Sequence, residues 1–228
     1  MTTRPDLDHV RELMALATGD EKHEESSTST LDALWVLYER ILRVDPAAPD
    51  AEDRDRFLLS KGHGPSALYA ILAARGFFPA EWLDTFMEHG GHLGSHPDRT
   101  QVPGIEASTG SLGHGLPMAV GLALALRAKG LQGQRVFVLC GDAELNEGSN
   151  WEAILLAPER RLGNLTLLVI DNRSSELTMP PWDARLGSFG WDTRLVDGHD
   201  HAALERAFRV RHADRPTAVV ADIREGQW

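Results

Sequence analysis

Three uninterrupted apolar runs constrain the fold of this chain most: "RVFVLC" (135–140), "NLTLLVID" (164–171) and "TAVVADI" (217–223). None alternates apolar with polar residues, so each reads as a strand buried on both faces. "TRLVDG" (193–198) adds a further short strand. Between these runs lie "NWEAILLAPERR" (150–161) and "HAALERAFRVRH" (201–212), whose apolar residues recur at helical spacing. Buried strands separated by helices build a parallel sheet covered on both sides. The chain is expected to be an α/β protein, a three-layer parallel sheet with helices on both faces.

The first half supplies the other helices. "LDHVRELMALAT" (7–18) spaces Val10, Leu13, Met14 and Ala17 as a helix does. "TSTLDALWVLYERILRV" (28–44) gathers Leu31, Leu34, Trp35, Tyr38, Ile41 and Leu42 on one face after a Ser/Thr-rich start suited to capping. The patch between them, "DEKHEESSTST" (20–30), reads as a polar loop. "DRFLLSKGHGPSALYAILAARG" (55–76) reads as a short strand, a glycine turn and a helix. "SLGHGLPMAVGLALALRAKG" (111–130) is apolar nearly all round, so its helix is expected to be buried. The 20–30 and 92–104 loops, polar and rich in small residues and histidine, are expected to order only with ligand and partner.

With 228 residues the chain suits one domain, 1–228, with a substantial core. A net charge of −11 argues against a surface that tracks a phosphate backbone, and no basic cluster appears along the sequence, so nucleic acid is not an expected partner. The single cysteine, Cys140, falls inside an apolar run and reads as a core residue. The first residues, "MTTRPDLDHV", have no apolar signal core, and "LPMAVGLALAL" falls well short of the roughly 20 residues of a membrane span. A cytoplasmic protein without membrane contact is the expectation.

In parallel sheets ligands bind where strands end, beside helix starts. "VLCGDAELNEGSNWEA" (138–153) places Asp142, Glu144 and Glu147 at such an end, and Asn172 follows the next strand. Asp142 and Asn172 belong to one strand–helix–strand unit, so both should emerge on the same edge. Their hard oxygens suit magnesium, which takes one or two carboxylates and completes its shell with phosphate oxygens and water. Taken alone, Asp142 equally fits a cap on the following helix. The glycine signatures G-x-G-x-x-G and G-x-x-x-x-G-K-[ST] are both absent.

"GDAELNEGSNWEA" followed by "VIDNRSS" resembles the thiamine diphosphate motif, Gly-Asp and then Asn about 30 residues later. With "SKGHGPSALYA" and "HPDRTQVPGIEASTGSLGHGLPMAVGLALA", the chain resembles the transketolase family over roughly residues 10 to 224. The resemblance covers the diphosphate-binding domain alone. It implies that Asp142 and Asn172 ligate magnesium through side chains and Ser174 through its carbonyl, with Gly141 and Ala143 beside the diphosphate of thiamine diphosphate. It further implies that His63 contacts the diphosphate and the reacting centre, and that Gly110, Ser111 and Leu112 line the aminopyrimidine side. Glu147 and Glu152 match acids of a carboxylate network across the subunit interface, while His23 and His96 match substrate-side histidines. His23, His63, His96 and His114 all stand in Gly- or Ser-containing loops and are candidate proton carriers.

In that family the glutamate that activates the pyrimidine ring lies in a second domain, which this sequence does not contain. The resemblance therefore implies a split enzyme, a heterotetramer in which a partner chain brings the pyrimidine domain and the substrate is a ketose or 2-oxo acid. The helix bearing Trp151 is a candidate contact surface. Departures from the family pattern are "KHEESSTS", whose Glu24 and Glu25 disfavour a phosphorylated substrate tail, Ala143 for glycine, His114 for glutamine, and the stop at "REGQW". Alternatives are an alpha-type subunit of a 2-oxo-acid dehydrogenase or decarboxylase, a non-catalytic assembly partner, and a nucleotide-binding module.

Overall fold

The computed structural model describes residues 6–17, 24–131, 133–177, 179 and 181–223. Five strands form one parallel sheet: β1 (Arg56–Leu59), β2 (Val136–Gly141), β3 (Leu165–Asp171), β4 (Asp192–Asp197) and β5 (Thr217–Asp222), in the order β1-β2-β3-β5-β4. The helices are α1 (Leu7–Leu16), α2 (Glu24–Thr28), α3 (Leu31–Val36), α4 (Ser66–Ala74), α5 (Gly115–Ala128), α6 (Gly148–Glu159), α7 (Trp182–Ser188) and α8 (His201–Phe208).

Residues of each central strand divide alternately between two cores. Phe57, Phe137, Leu139, Leu168, Ile170 and Val219 pack with α1, α3, α4 and α8 on one face. Leu58, Val138, Cys140, Leu167, Val169 and Val220 pack with α5, α6 and α7 on the other. This is the expected three-layer sheet, with Cys140 fully buried. β1 and β4 are the two edges; β1 is buried throughout, whereas β4 is open and its Leu195 stands 59% exposed.

Three segments differ from expectation. Within the 20–30 patch, residues 24–28 form α2, and Ser27, Ser29 and Thr30 are buried. Their burial is tolerated because the hydroxyls bond locally: Thr30 Oγ1 donates to the Ser27 carbonyl at 2.7 Å and Ser29 Oγ to that of Ser26 at 3.2 Å. The 92–104 loop is held within the chain itself. Tyr69 Oη donates to the carbonyls of Gly94 and His96, and the Asp98 carboxylate accepts from the Thr100 amide and hydroxyl and from Ser108. Finally, α5 is not buried all round. Leu116, Ala119, Val120, Ala123 and Leu126 face the core, but Met118, Gly121 and Ala125 face solvent.

Candidate functional site

The carboxyl ends of β1, β2 and β3 lie on one rim of the parallel sheet, and each runs into a loop that the sequence singled out. Gly141 pairs with Ile170 in the ladder, so Asp142 falls beside Asp171, and Asn172 follows one residue on. Asp142 is 1% exposed and caps nothing with its side chain. Its carboxylate instead accepts from Ser174 Oγ at 2.7 Å and from the Ser175 amide at 3.1 Å. The Asp142 side chain and the 172–175 loop are thus in direct contact on a single rim. Asn172 is partly exposed beside them. Arg173 adopts a left-handed conformation (φ 60°), a rare state for a bulky residue, which turns the loop tightly after Asn172. Burial, and then the Asp142 charge, push the Asp171 carboxyl above its usual range.

Packing of glycines joins the rim loops to one another. A Cβ on Gly62 would meet Thr109 and Gly110 at 2.6–2.7 Å, and one on Gly110 would meet the His96 ring at 2.8 Å. One on Gly113 would meet Glu147, and one on Gly115 would strike Ser60. The loop carrying His63 therefore lies against the 109–115 loop, with the His96 imidazole over Gly110. His63 is half-buried, and its carbonyl accepts from Ser26 Oγ at 3.2 Å. His96 is exposed and its Nδ1 bonds Ser95 Oγ at 3.1 Å; His114 is exposed at the start of α5. Ser111 is exposed and Leu112 half-buried in the same loop. Glu147 and Glu152 are exposed at the start of α6. His23 lies outside the described residues, as do the side chains of Glu24 and Glu25.

Ala143 begins a right-handed 3-10 turn (Ala143–Asn146), a conformation in which alanine is unstrained, so the backbone here does not require glycine. Trp151 is half-buried: its indole N–H donates to the Leu145 carbonyl at 2.7 Å and its ring leans on Phe189. The outward apolar residues of α6 are instead Leu155, 55% exposed, and Leu156, 38% exposed.

Two charged residues carry more of the site than the sequence pattern assigns them. Glu144, 1% exposed, accepts from Ser60 Oγ at 2.5 Å and the Gly113 amide at 3.1 Å, while its other oxygen accepts from the Gly141 amide at 3.3 Å. Ser60 Oγ in turn accepts from the Gly115 amide. One carboxylate fastens the three loops together. Burial raises its pKa, and those three donors oppose the rise. Lys61, 4% exposed, sits beside Asp142 and Glu144 and donates to Ser29 Oγ at 3.3 Å. Burial brings its pKa down to about 8 against the pull of both acids. A charged residue within three positions of a buried strand's end was the available signal for both.

The rim thus offers a buried carboxylate, an amide side chain, loop carbonyls and a buried lysine. Hard oxygens of this kind fit a magnesium ion, and the ammonium fits a bound anion.

The model of the transketolase thiamine diphosphate binding domain matches residues 9–224. The chain belongs to the transketolase family. It is 35% identical over 212 residues to one of the subunits of apulose-4-phosphate transketolase from Actinobacillus succinogenes, covering 90% of this chain and 76% of that protein. A transketolase from Pichia stipitis in complex with sedoheptulose 7-phosphate superposes with a TM-score of 0.82 at 28% identity over 95% of this chain. The chain spans 36% of that longer transketolase. It is also 51% identical, over 95% of its length and 71% of the relative's, to a Rhodococcoides fascians protein named ferredoxin fas2. An iron–sulfur cluster of the ferredoxin type takes four thiolates. This sequence has only Cys140, so that part of the name does not carry over to these residues.

Proposed function

We propose that this chain is the diphosphate- and magnesium-binding half of a two-chain, transketolase-like transferase that moves a two-carbon ketol or acyl unit. Asp142, Asn172 and the Ser174 carbonyl would hold the ion, with Gly141 and Ala143 beside the diphosphate. The single observation that carries this reading is the buried Asp142 carboxylate in contact with the loop that follows Asn172. When bound, thiamine diphosphate supplies a nucleophilic carbon and an electron sink. Lys61 adds positive charge to the diphosphate side. His63, His96 and His114 would serve as proton donors and acceptors toward the substrate, as would His23, which lies outside the described residues. Gly110, Ser111 and Leu112 line the pyrimidine side.

The partner is read from surface. α5 turns Met118, Gly121 and Ala125 to solvent, and α6 turns Leu155 and Leu156 outward near Glu147 and Glu152. An apolar helix face rimmed by acids suits a large buried interface. The chain that covers it would bring the pyrimidine-binding domain, two copies of each forming a heterotetramer in the cytoplasm. No helix among the described residues is long and apolar enough to cross a membrane. The test is reconstitution with the chain encoded beside it, followed by product analysis with a ketose, hydroxypyruvate and pyruvate. Ketol transfer from the first two, only when both chains are present, is the expected result. Full turnover by this chain alone would refute the split, and turnover of pyruvate alone would favour the dehydrogenase-type alternative.

A further inference from the structure

The rim opposite Asp142 holds a second concave site. Arg127, Arg135, Arg161, Asn164, Arg211 and His212 line a cavity of about 210 Å³, closed on one side by Gly163 and Ala213. These residues are scattered through the sequence, which is why no basic cluster shows there. They converge because β2 and β3 begin at this edge while α5, α6 and α8 end near it. Among the described residues no carboxylate lines the cavity, in a chain whose net charge is −11.

Three features distinguish it from an ordinary solvated surface. Arg135 is 6% exposed, its guanidinium lying 4.3 Å over the Phe137 ring and donating to Thr166 Oγ1 and the Val210 carbonyl. Burial, and then the neighbouring Arg211 charge, bring its pKa down to about 10. Arg161 follows α6 in a left-handed conformation (φ 52°), where glycine is the usual residue and a side chain costs roughly 1 kcal/mol. Gly163 is pressed against the 212–213 backbone so closely that a Cβ would overlap the His212 carbonyl, which fixes the floor. Two acids lie just behind the lining and are already engaged: Asp55 with Arg43 and the Arg135 amide, and Asp192 with Arg194, Arg215 and His212 of the cavity itself. Helix C-termini attract cations, and Arg127 does donate to the Arg160 carbonyl at the end of α6. That accounts for one arginine per helix end, not for a buried fourth at a concave surface.

We propose that this cavity is a binding site for a small phosphate-bearing anion, separate from the cofactor rim by the length of the strands. Planar guanidinium groups from several elements match phosphate oxygens, and the cavity admits an orthophosphate or a diphosphate but not an extended polymer.

Calorimetry of the full chain tests this, with inorganic phosphate and inorganic pyrophosphate as probes at low salt and with EDTA present to silence metal-dependent binding at the other rim. Saturable one-to-one binding of either anion is expected. The double variant Arg161→Gln/Arg211→Gln, at two exposed positions, should weaken it at least roughly tenfold per arginine, while Lys61→Met leaves it unchanged. Circular dichroism verifies that both variants fold. Absence of saturable binding to the wild type, or undiminished binding by the double variant, would overturn the proposal. Loss of binding in Lys61→Met, which removes the cation of the cofactor rim, would do the same, by assigning the heat to that rim.

Discussion

Glu144 shows how a site can depend on a residue that touches no ligand. Its carboxylate accepts from Ser60 after β1, from Gly113 in the loop before α5 and from Gly141 at the end of β2. Glu144→Ala would leave three buried donors unsatisfied, a loss of about 2–4 kcal/mol that urea denaturation measures directly. Lys61 makes an opposite contribution. Its folded pKa of about 8 lies below the usual lysine value of 10.5, so the unfolded chain binds more protons between those values. Stability of the cofactor-free chain should therefore rise with pH from about 8 to 10.5. Below that window the buried charge costs on the order of 3 kcal/mol. Lys61→Met should stabilise the free chain at neutral pH and flatten that rise, while weakening thiamine diphosphate binding. Ala143→Gly bears on the departure from the family pattern. Since Ala143 is right-handed, glycine there should cost up to about 1 kcal/mol and leave cofactor affinity within a few-fold.

At the level of elements, every strand was legible, because runs such as "NLTLLVID" must be buried on both faces and burial requires helices between them. The rim was legible for the same reason: parallel strands put Asp142 and Asn172 at one edge wherever the ladder register lies. Side-chain partners were not, since the contact from Ser174 to Asp142 depends on a loop turning left-handed at Arg173. Nor was the half-exposed character of α5, because an apolar helix reads as buried whether its cover is its own core or another chain. That surface carries its own test. Leu155→Asp, at a 55% exposed position, should leave the chain's melting temperature within a few degrees yet abolish co-purification with the partner chain. Equal assembly by the variant would move the interface elsewhere.

Across the whole molecule, the two ends of the sheet differ in the groups they gather. The carboxyl rim gathers Asp142, Asp171, Asp197 and Asp222 at strand ends, and the opposite rim gathers four arginines. On the proposed reading the carboxyl rim would attract a divalent cation, which in turn would bring a diphosphate that Lys61 also favours. The proposed anion cavity would bind phosphate without metal. EDTA should abolish binding at the first and leave the second unaffected, a distinction that only a three-dimensional arrangement of scattered residues creates. The central claim is that Asp142 and Asn172 hold the ion beneath the cofactor. Isothermal titration of the assembled two-chain protein with thiamine diphosphate and magnesium tests it most directly. Wild type should bind saturably and only with magnesium present, and Asp142→Ala should lose at least about a hundredfold in affinity, corresponding to loss of a charged ligand worth roughly 3 kcal/mol. Equal affinity in wild type and Asp142→Ala, or binding indifferent to magnesium, would contradict it.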